Sequence, residues 1–275
     1  MFTLSGFADE VSSDFSEQMD VFEKEGVRFI ELRGILGKNV LDLTDDEARR
    51  VKSMMDARGF ALSAIGSPIG KIKISEPFEP HLEKFRRGID LAELFGAPYI
   101  RIFSYFIPEG EEPAKYRDEV MRRMKAKAQA AKGRKVTLLH ENERHIYGDT
   151  GKRCKDILDT VKAKNLKGIL DPANYVICGE DPYECWKMMK KETVYLHVKD
   201  AKKTGEITPA GLGDGRFPEI FKELVKRGFD GFVSLEPHLS KAHASRGETA
   251  PELFKWAADS LKKVIGEAGG EIRER

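Results

Sequence analysis

Four short stretches in the second half of the chain each carry an acid or an imidazole where an apolar run gives out. They read Leu138-Leu139-His140-Glu141-Asn142-Glu143, Gly168-Ile169-Leu170-Asp171-Pro172-Ala173-Asn174, Tyr195-Leu196-His197-Val198-Lys199-Asp200 and Val233-Ser234-Leu235-Glu236-Pro237-His238. If each run is a strand, Glu, Asp, His and Glu stand at matching heights around one mouth. Three carboxylates and an imidazole facing one cavity repel and desolvate one another, and a divalent cation between them resolves the conflict. Carboxylate-rich ligation with one imidazole suits Mn2+ or Mg2+, with Co2+ or Zn2+ also accepted. The competing reading is that each acid caps a loop or the helix after it, as Asp and Asn often do.

Neighbouring residues extend the set. Strand alternation turns Lys199 the same way as His197; it could contact a substrate or fill the mouth as a solvated amine. Asp200 points the other way and is placed to orient a neighbour. His238, two residues after Glu236, could reach a substrate or sit in a surface loop. His140 is opposed to Glu141 and is expected behind the strand. Glu31, Arg33 and Arg101 share lumen parity on two earlier runs, as a buried polar layer or as substrate contacts. Gly211-Leu212-Gly213-Asp214-Gly215 resembles a phosphate cradle only loosely and reads as a plain turn. Ser67-Pro68-Ile69-Gly70-Lys71 follows the third run. It reads as a structural loop, with a lid or an anion contact through Lys71 as alternatives.

These residues need strands to hold them. Eight apolar runs qualify: Phe2–Phe7, Val27–Leu32, Phe60–Ile65, Pro98–Phe103, Val136–His140, Lys167–Leu170, Val194–Val198 and Gly231–Leu235. Their starts recur roughly every 25 to 38 residues, the length of one βα unit. Amphipathic stretches lie between them, including Asp14–Glu25, Thr44–Arg58, Glu79–Phe95, Tyr116–Lys132, Phe217–Arg227 and Pro251–Ile265. Several close on Gly, the expected C-cap. Eight alternating units predict an α/β chain closed as a (β/α)8 TIM barrel, and no dinucleotide fingerprint follows the first run to favour an open sheet. No linker divides the chain, so residues 1–266 read as one domain. The polar tail Glu267–Arg275 is expected to fray.

Composition bounds the function. The 275 residues carry a formal charge of only +1, which argues against a broad phosphate-backbone footprint and against nucleic acid as a partner. No apolar run approaches membrane-spanning length, and the N-terminal residues lack the pattern of a signal peptide. Cys154, Cys178 and Cys185 form no CxxC, so neither a disulfide framework nor a cysteine zinc cluster is expected. A cytoplasmic location and a small-molecule substrate are the resulting expectations; a homo-oligomer is left open.

From Gly6-Phe7-Ala8-Asp9-Glu10 through Glu236-Pro237-His238-Leu239 the chain resembles the xylose-isomerase-like barrel family of sugar isomerases and epimerases. The resemblance implies one metal held by a Glu, an Asp, a His and a Glu from four late strands, hence Glu141, Asp171, His197 and Glu236. Glu143 has the same parity as Glu141 and is its rival; Glu141 lies closer to the strand. Many relatives carry His three residues after the Asp, where this chain has Asn174, so that role departs from the pattern. In such a site a cation that chelates a carbonyl and the adjacent hydroxyl acidifies the carbon-bound hydrogen and stabilises an enediolate. Glu141 and Glu236 are the candidates to move the proton, from two faces for epimerisation or one face for aldose–ketose isomerisation. Lys199, Glu143, Asn174, His238, Arg101 and Lys71 are the candidate contacts to a sugar or sugar phosphate. Dehydration or cleavage of a related polyol or keto acid is the alternative chemistry. An apurinic-site endonuclease would need many more histidines than the six present. A non-catalytic sugar-binding barrel is the remaining reading.

Overall fold

The computed structural model describes residues 1–239 and 249–273. Eight parallel strands form a closed barrel: β1 (Phe2–Gly6), β2 (Phe29–Leu32), β3 (Ala61–Ile65), β4 (Tyr99–Ile102), β5 (Thr137–Glu141), β6 (Leu166–Leu170), β7 (Thr193–Val198) and β8 (Gly231–Leu235). Each pairs with its sequence neighbours, and β8 closes on β1, Phe2 opposite Gly231 through Gly6 opposite Leu235. Closure makes this the expected TIM barrel and excludes the open sheet. Among the described residues no helix is long and apolar enough to cross a membrane.

Around the barrel run α1 (Phe15–Lys24), α2 (Asp45–Ala57), α3 (Phe78–Phe95), α4 (Arg117–Ala130), α5 (Gly151–Val161), α6 (Pro172–Ile177), α7 (Pro182–Met189), α8 (Phe217–Lys226) and α9 (Pro251–Glu267). Their starts follow side-chain chemistry. Asp14 accepts the Glu17 N–H to cap α1, and Thr44 with Glu47 forms a reciprocal capping box on α2. Helices α5 to α7 are the ones the sequence reading did not name. α6 and α7 are short and open on Pro, a first-turn residue that also reads as a loop signal, and α5 opens on Gly.

Period-two alternation divides each strand between two environments. One face packs on the helices through Ile100, Ile102, Leu138, Leu170, Leu196, Val233 and Leu235. The other faces the lumen. Low in the lumen, Leu139, Ile169 and Tyr195 form an apolar plug against Tyr99 and Phe232. Two residues further along three of those strands come Glu141, Asp171 and His197. The β2–β3 pairing shifts register between Ile30 and Glu31, a bulge that re-aims Glu31 at the top of its strand.

The expected fraying of Glu267–Arg275 does not hold for its described part. Glu267 closes α9, the Phe2 N–H donates to Glu271 O (2.7 Å), and the Arg273 N–H donates to Phe2 O (2.8 Å). β2 meets β1 only at Ser5 and Gly6, so Phe2 has an open backbone edge that the tail fills, with Ile272 packed on the core. Glu274 and Arg275 lie outside the described residues.

Candidate metal centre

Each of the four strand-end residues arrives by a local reason. Glu141 is the last residue of β5, with the lumen parity of Leu139 below it. Asp171 follows β6 and caps α6: its Oδ1 accepts the Asn174 N–H at 3.0 Å. Capping and ligation, rival readings of the sequence, are compatible here because the cap uses one oxygen and leaves Oδ2 to the cluster, where Lys199 Nζ lies 2.9 Å away. His197 stands two residues above Tyr195 on β7, and Glu236 follows β8. One ligand atom from each of Glu141, Asp171, His197 and Glu236 lies within 4.8 Å of the others, and all four residues are buried.

Among the described residues His197 Nδ1 and Asp171 Oδ2 make no well-directed hydrogen bond, although Lys199 Nζ lies 2.9 Å from the latter. His197 Nδ1 faces Glu141 Oε1 at 3.0 Å and Glu236 Oε2 at 3.6 Å. Its other nitrogen, Nε2, lies 3.1 to 3.2 Å from the Glu31 carboxylate. A carboxylate behind an imidazole fixes the tautomer and presents the opposite lone pair to a cation. Glu31 is itself held by the Tyr195 hydroxyl (2.8 Å), which touches Ser63 Oγ (2.9 Å), which touches Ser5 Oγ (2.6 Å). A hydroxyl chain thus runs from the lower lumen to the back of His197.

The charge balance favours a cation. Asp9, Glu10, Glu31, Glu141, Asp171 and Glu236 gather here with Arg33, Arg101 and Lys199. That is six carboxylates to three Lys or Arg side chains, with His197 and His238 as the remaining groups able to carry positive charge. Burial alone would raise the Glu141 carboxyl, but His197 and Arg101 outweigh it and hold it at about 2. Burial pushes Asp171 up to about 6, with Lys199 only partly offsetting it. Burial likewise opposes a proton on His197, yet Glu141 and Glu31 raise its pKa well above the ordinary value. Three carboxylates and an imidazole, buried and converging within 4.8 Å, fit a divalent cation.

The site's family can now be tested against known proteins. A family model described as a xylose isomerase-like TIM barrel matches residues 19–264. The chain belongs to this family. No curated protein matches the sequence. Solved structures do. A xylose isomerase-like TIM barrel protein from Mycobacterium smegmatis in complex with magnesium shares 17% identity and a TM-score of 0.73, over 96% of this chain and 97% of that one. D-psicose 3-epimerase with D-tagatose, from Clostridium cellulolyticum, shares 15% identity at TM-score 0.75, over 96% and 99%. A probable 3-DHS dehydratase, AsbF, of Bacillus anthracis shares 20% identity at TM-score 0.74, over 95% and 98%. At these identities the likeness is one of fold.

Within this xylose isomerase-like barrel the remaining candidates separate. Glu143 stays out of the four-residue cluster and pairs with Lys71 at 2.9 Å on the cleft wall. Lys199 is buried between Asp171 Oδ2 (2.9 Å) and Glu236 Oε2 (3.1 Å), not a solvated amine. His238 Nε2 lies 3.0 Å from Glu10 Oε1 and 3.2 Å from Glu236 Oε1, and the two carboxylates, against burial, raise its pKa to about 9. Arg101 is buried and directed at the protein: Nη1 reaches Glu141 (3.2 Å), Nε the Ser67 carbonyl (3.3 Å) and Nη2 the Gly66 carbonyl (3.1 Å). It positions Glu141 and ties down the Ser67–Lys71 loop. Asn174 turns its amide to the Asn142 carbonyl (3.0 Å) and still lines the cleft.

The glycine loop after β7 proves to be an anion cradle for the chain's own carboxylate. The N–H groups of Gly211, Gly213 and Gly215 donate to Asp200 at 2.8 to 3.0 Å. His140 lies behind β5 as expected, and burial pushes its pKa down to about 3. Sequence reasoning missed Asn142, whose side chain brackets the Asp171 backbone with two hydrogen bonds of 2.9 Å. It also gave no role to Asp9 and Glu10. Asp9 takes Arg33 in a two-point pair at 2.9 and 3.2 Å, and Arg33 Nη1 in turn reaches Glu236 (3.3 Å). The available signal was their position in the loop after the first strand, three and four residues past its end, further out than the later acids.

Proposed function

We propose that this barrel is a metal-dependent isomerase or epimerase of a small polyhydroxylated carbonyl compound, with Glu141, Asp171, His197 and Glu236 as the ligands. The observation that carries the reading is the convergence of one ligand atom each from buried Glu141, Asp171, His197 and Glu236 within 4.8 Å of one another. A divalent cation held there supplies Lewis acidity toward a carbonyl and its neighbouring hydroxyl. Glu236 is the preferred group to take the proton from the adjacent carbon. Lys199, and less directly His238 and His197, oppose the effect of burial and keep it ionised. Glu141, linked through Arg101 to the same region, is the second proton carrier; Arg101 Nη1 lies 3.2 Å from Glu141 and 3.8 Å from Glu236. Glu31 holds His197 in the tautomer that faces the cluster, and Asn142 fixes the backbone of Asp171.

Lys199 supports a second reading. An ammonium at hydrogen-bond distance from two of the proposed ligands can protonate a leaving hydroxyl, which would turn the same proton abstraction into a dehydration. The test is deuterium uptake from heavy water into sugars and keto acids, product analysis separating exchange from water loss. With wild-type protein we expect exchange at the carbon beside the carbonyl. Glu236→Gln, with its metal content measured alongside, should lose it. A metal-loaded Glu236→Gln that exchanges at the wild-type rate removes Glu236 as the base.

A further inference from the structure

We propose that the substrate carries an anionic group, a carboxylate or a phosphate, on the end remote from the four-residue cluster; this rests on reading the cleft as a substrate site. The cleft over the cluster has a volume of about 540 Å3, the size of a small-molecule site. Its wall holds Lys71, Arg144, Lys199, His145 and His238; Lys199 and His238 already face Asp171, Glu236 and Glu10, and the carboxylate of the wall is Glu143. Glu143 is already taken by Lys71.

Arg144 is the informative residue. It is exposed on the cleft wall and its guanidinium makes no ion pair or hydrogen bond among the described residues; only its backbone N–H is used, toward Glu143 Oε1 (2.9 Å). Most other arginines of this chain are paired, as Arg33, Arg58, Arg101, Arg117, Arg134 and Arg153 show. The next residue, His145, holds a φ of +67°, a left-handed conformation that is uncommon for His and must be held by its surroundings. Its carbonyl accepts the Ile107 N–H at 3.0 Å, which anchors this rim. Lysine and arginine only donate hydrogen bonds. A neutral polyol both donates and accepts, and would be served by Asn174 and Glu143 of the same wall without calling on an unpaired guanidinium. A carboxylate or phosphate offers acceptors alone and gains charge-assisted bonds, in a two-point geometry with Arg144.

The test uses the full chain loaded with Mg2+ and three probes: inorganic phosphate, gluconate and neutral glucitol, with Kd read by calorimetry. At least one anion should bind roughly tenfold more tightly than glucitol, and Arg144→Gln should weaken that anion roughly tenfold while moving glucitol less than about twofold. Lys71→Gln should weaken the anion in the same direction. Preference for phosphate or for gluconate tells which anion the wall was built for, and either supports the proposal. Two results overturn it: no anion preference in the wild type, or an anion Kd unchanged in both variants. Mg2+ titration and deuterium exchange are measured separately. Metal binding with exchange on a neutral sugar and no anion preference sinks this inference alone. Arg144-dependent anion binding by a protein that binds no metal sinks the metal reading alone.

Discussion

The mouth of the barrel and the space behind strands β4 and β5 both bury ionisable groups, and they dispose of the charge in opposite ways. Behind the strands Lys127 is fully buried, donates to the Phe103 carbonyl (2.9 Å) and lies 4.7 Å from the Tyr105 ring. Among the described residues no carboxylate pairs with it. Burial, with Arg123 adding to it, pushes the Lys127 amine far below its ordinary pKa, and burial and Lys127 together lower His140 nearby. There burial and like charge act in one direction, and Lys127 and His140 both hold a proton less tightly than in water. At the mouth, carboxylates stay ionised by facing Arg101, Lys199 and His197. The contrast teaches that burial of polar atoms is not by itself a site. In the enclave His140 Nε2 and Tyr105 Oη are also without partners, but no carboxylate converges on them. At the mouth the unpartnered atoms point at one another's charges.

The contrast can be broken or sharpened by substitution. The largest effect is expected from Asp171→Asn, where the helix cap survives but the carboxylate oxygen facing Lys199 and the cluster is lost. Mn2+ affinity should fall roughly a hundredfold, with the fold kept but stability lowered by about 1 to 3 kcal/mol because Asn caps nearly as well while Lys199 loses a buried partner. Calorimetric titration and urea unfolding read the two quantities. Loss of the fold with metal affinity intact would place Asp171 in the structural class.

Glu31→Gln should come next. It keeps the shape behind His197 and removes the carboxylate, so Mn2+ should bind about tenfold more weakly in a protein that still folds. An unchanged Kd would mean that Glu31 only fills space in the lumen.

Lys127→Met should do the reverse of these. It trades a buried amine that pairs with no carboxylate among the described residues for an apolar chain of similar length, so stability should hold or rise by about 1 kcal/mol while the Mn2+ Kd stays within twofold. A Kd that moves with Lys127 would join the two regions and end the comparison.

The smallest effect belongs to His81, at the edge of the enclave. Its Nε2 accepts the Gly70 N–H (2.7 Å), and burial, with Lys127 and Arg123 adding to it, lowers its pKa to about 4. An unfolded His takes its proton near 6.5, so between about 6.5 and 4 the unfolded chain holds more protons and stability falls as the pH drops. His81→Gln, which can still accept from Gly70, should flatten part of that slope in urea titrations. An equal slope in both proteins would show that His81 is protonated in the fold. The bond matters because Gly70 packs against Phe103: a Cβ at Gly70 would lie 2.0 Å from the Phe103 carbonyl oxygen, so the loop carrying Lys71 has little slack.

Much of the scaffold was legible because it rests on local periodicity. Strand parity put Lys199 beside His197 and turned His140 away, and the structure places both so. Glu141 and Glu143 share a parity, so alternation could not separate them; β5 ends at Glu141, and Lys71 draws Glu143 to the wall. What stayed hidden depends on residues far apart in the chain. Glu10 reaches His238 and Thr249, more than two hundred positions away, and the role of Glu31 needs both a bulge and the Tyr195 hydroxyl. The tail was misread because its partner is one open backbone edge at Phe2, which no composition records.

The central claim is that the four strand-end residues hold one divalent cation. The most direct measurement is calorimetric titration of chelator-stripped protein with Mn2+, wild type beside His197→Ala. The account predicts about one ion per wild-type chain, a melting temperature that rises with the ion, and a folded His197→Ala whose affinity is at least tenfold weaker. A wild-type chain that binds no Mn2+, Mg2+, Co2+ or Zn2+ and melts at the same temperature with and without them would contradict it.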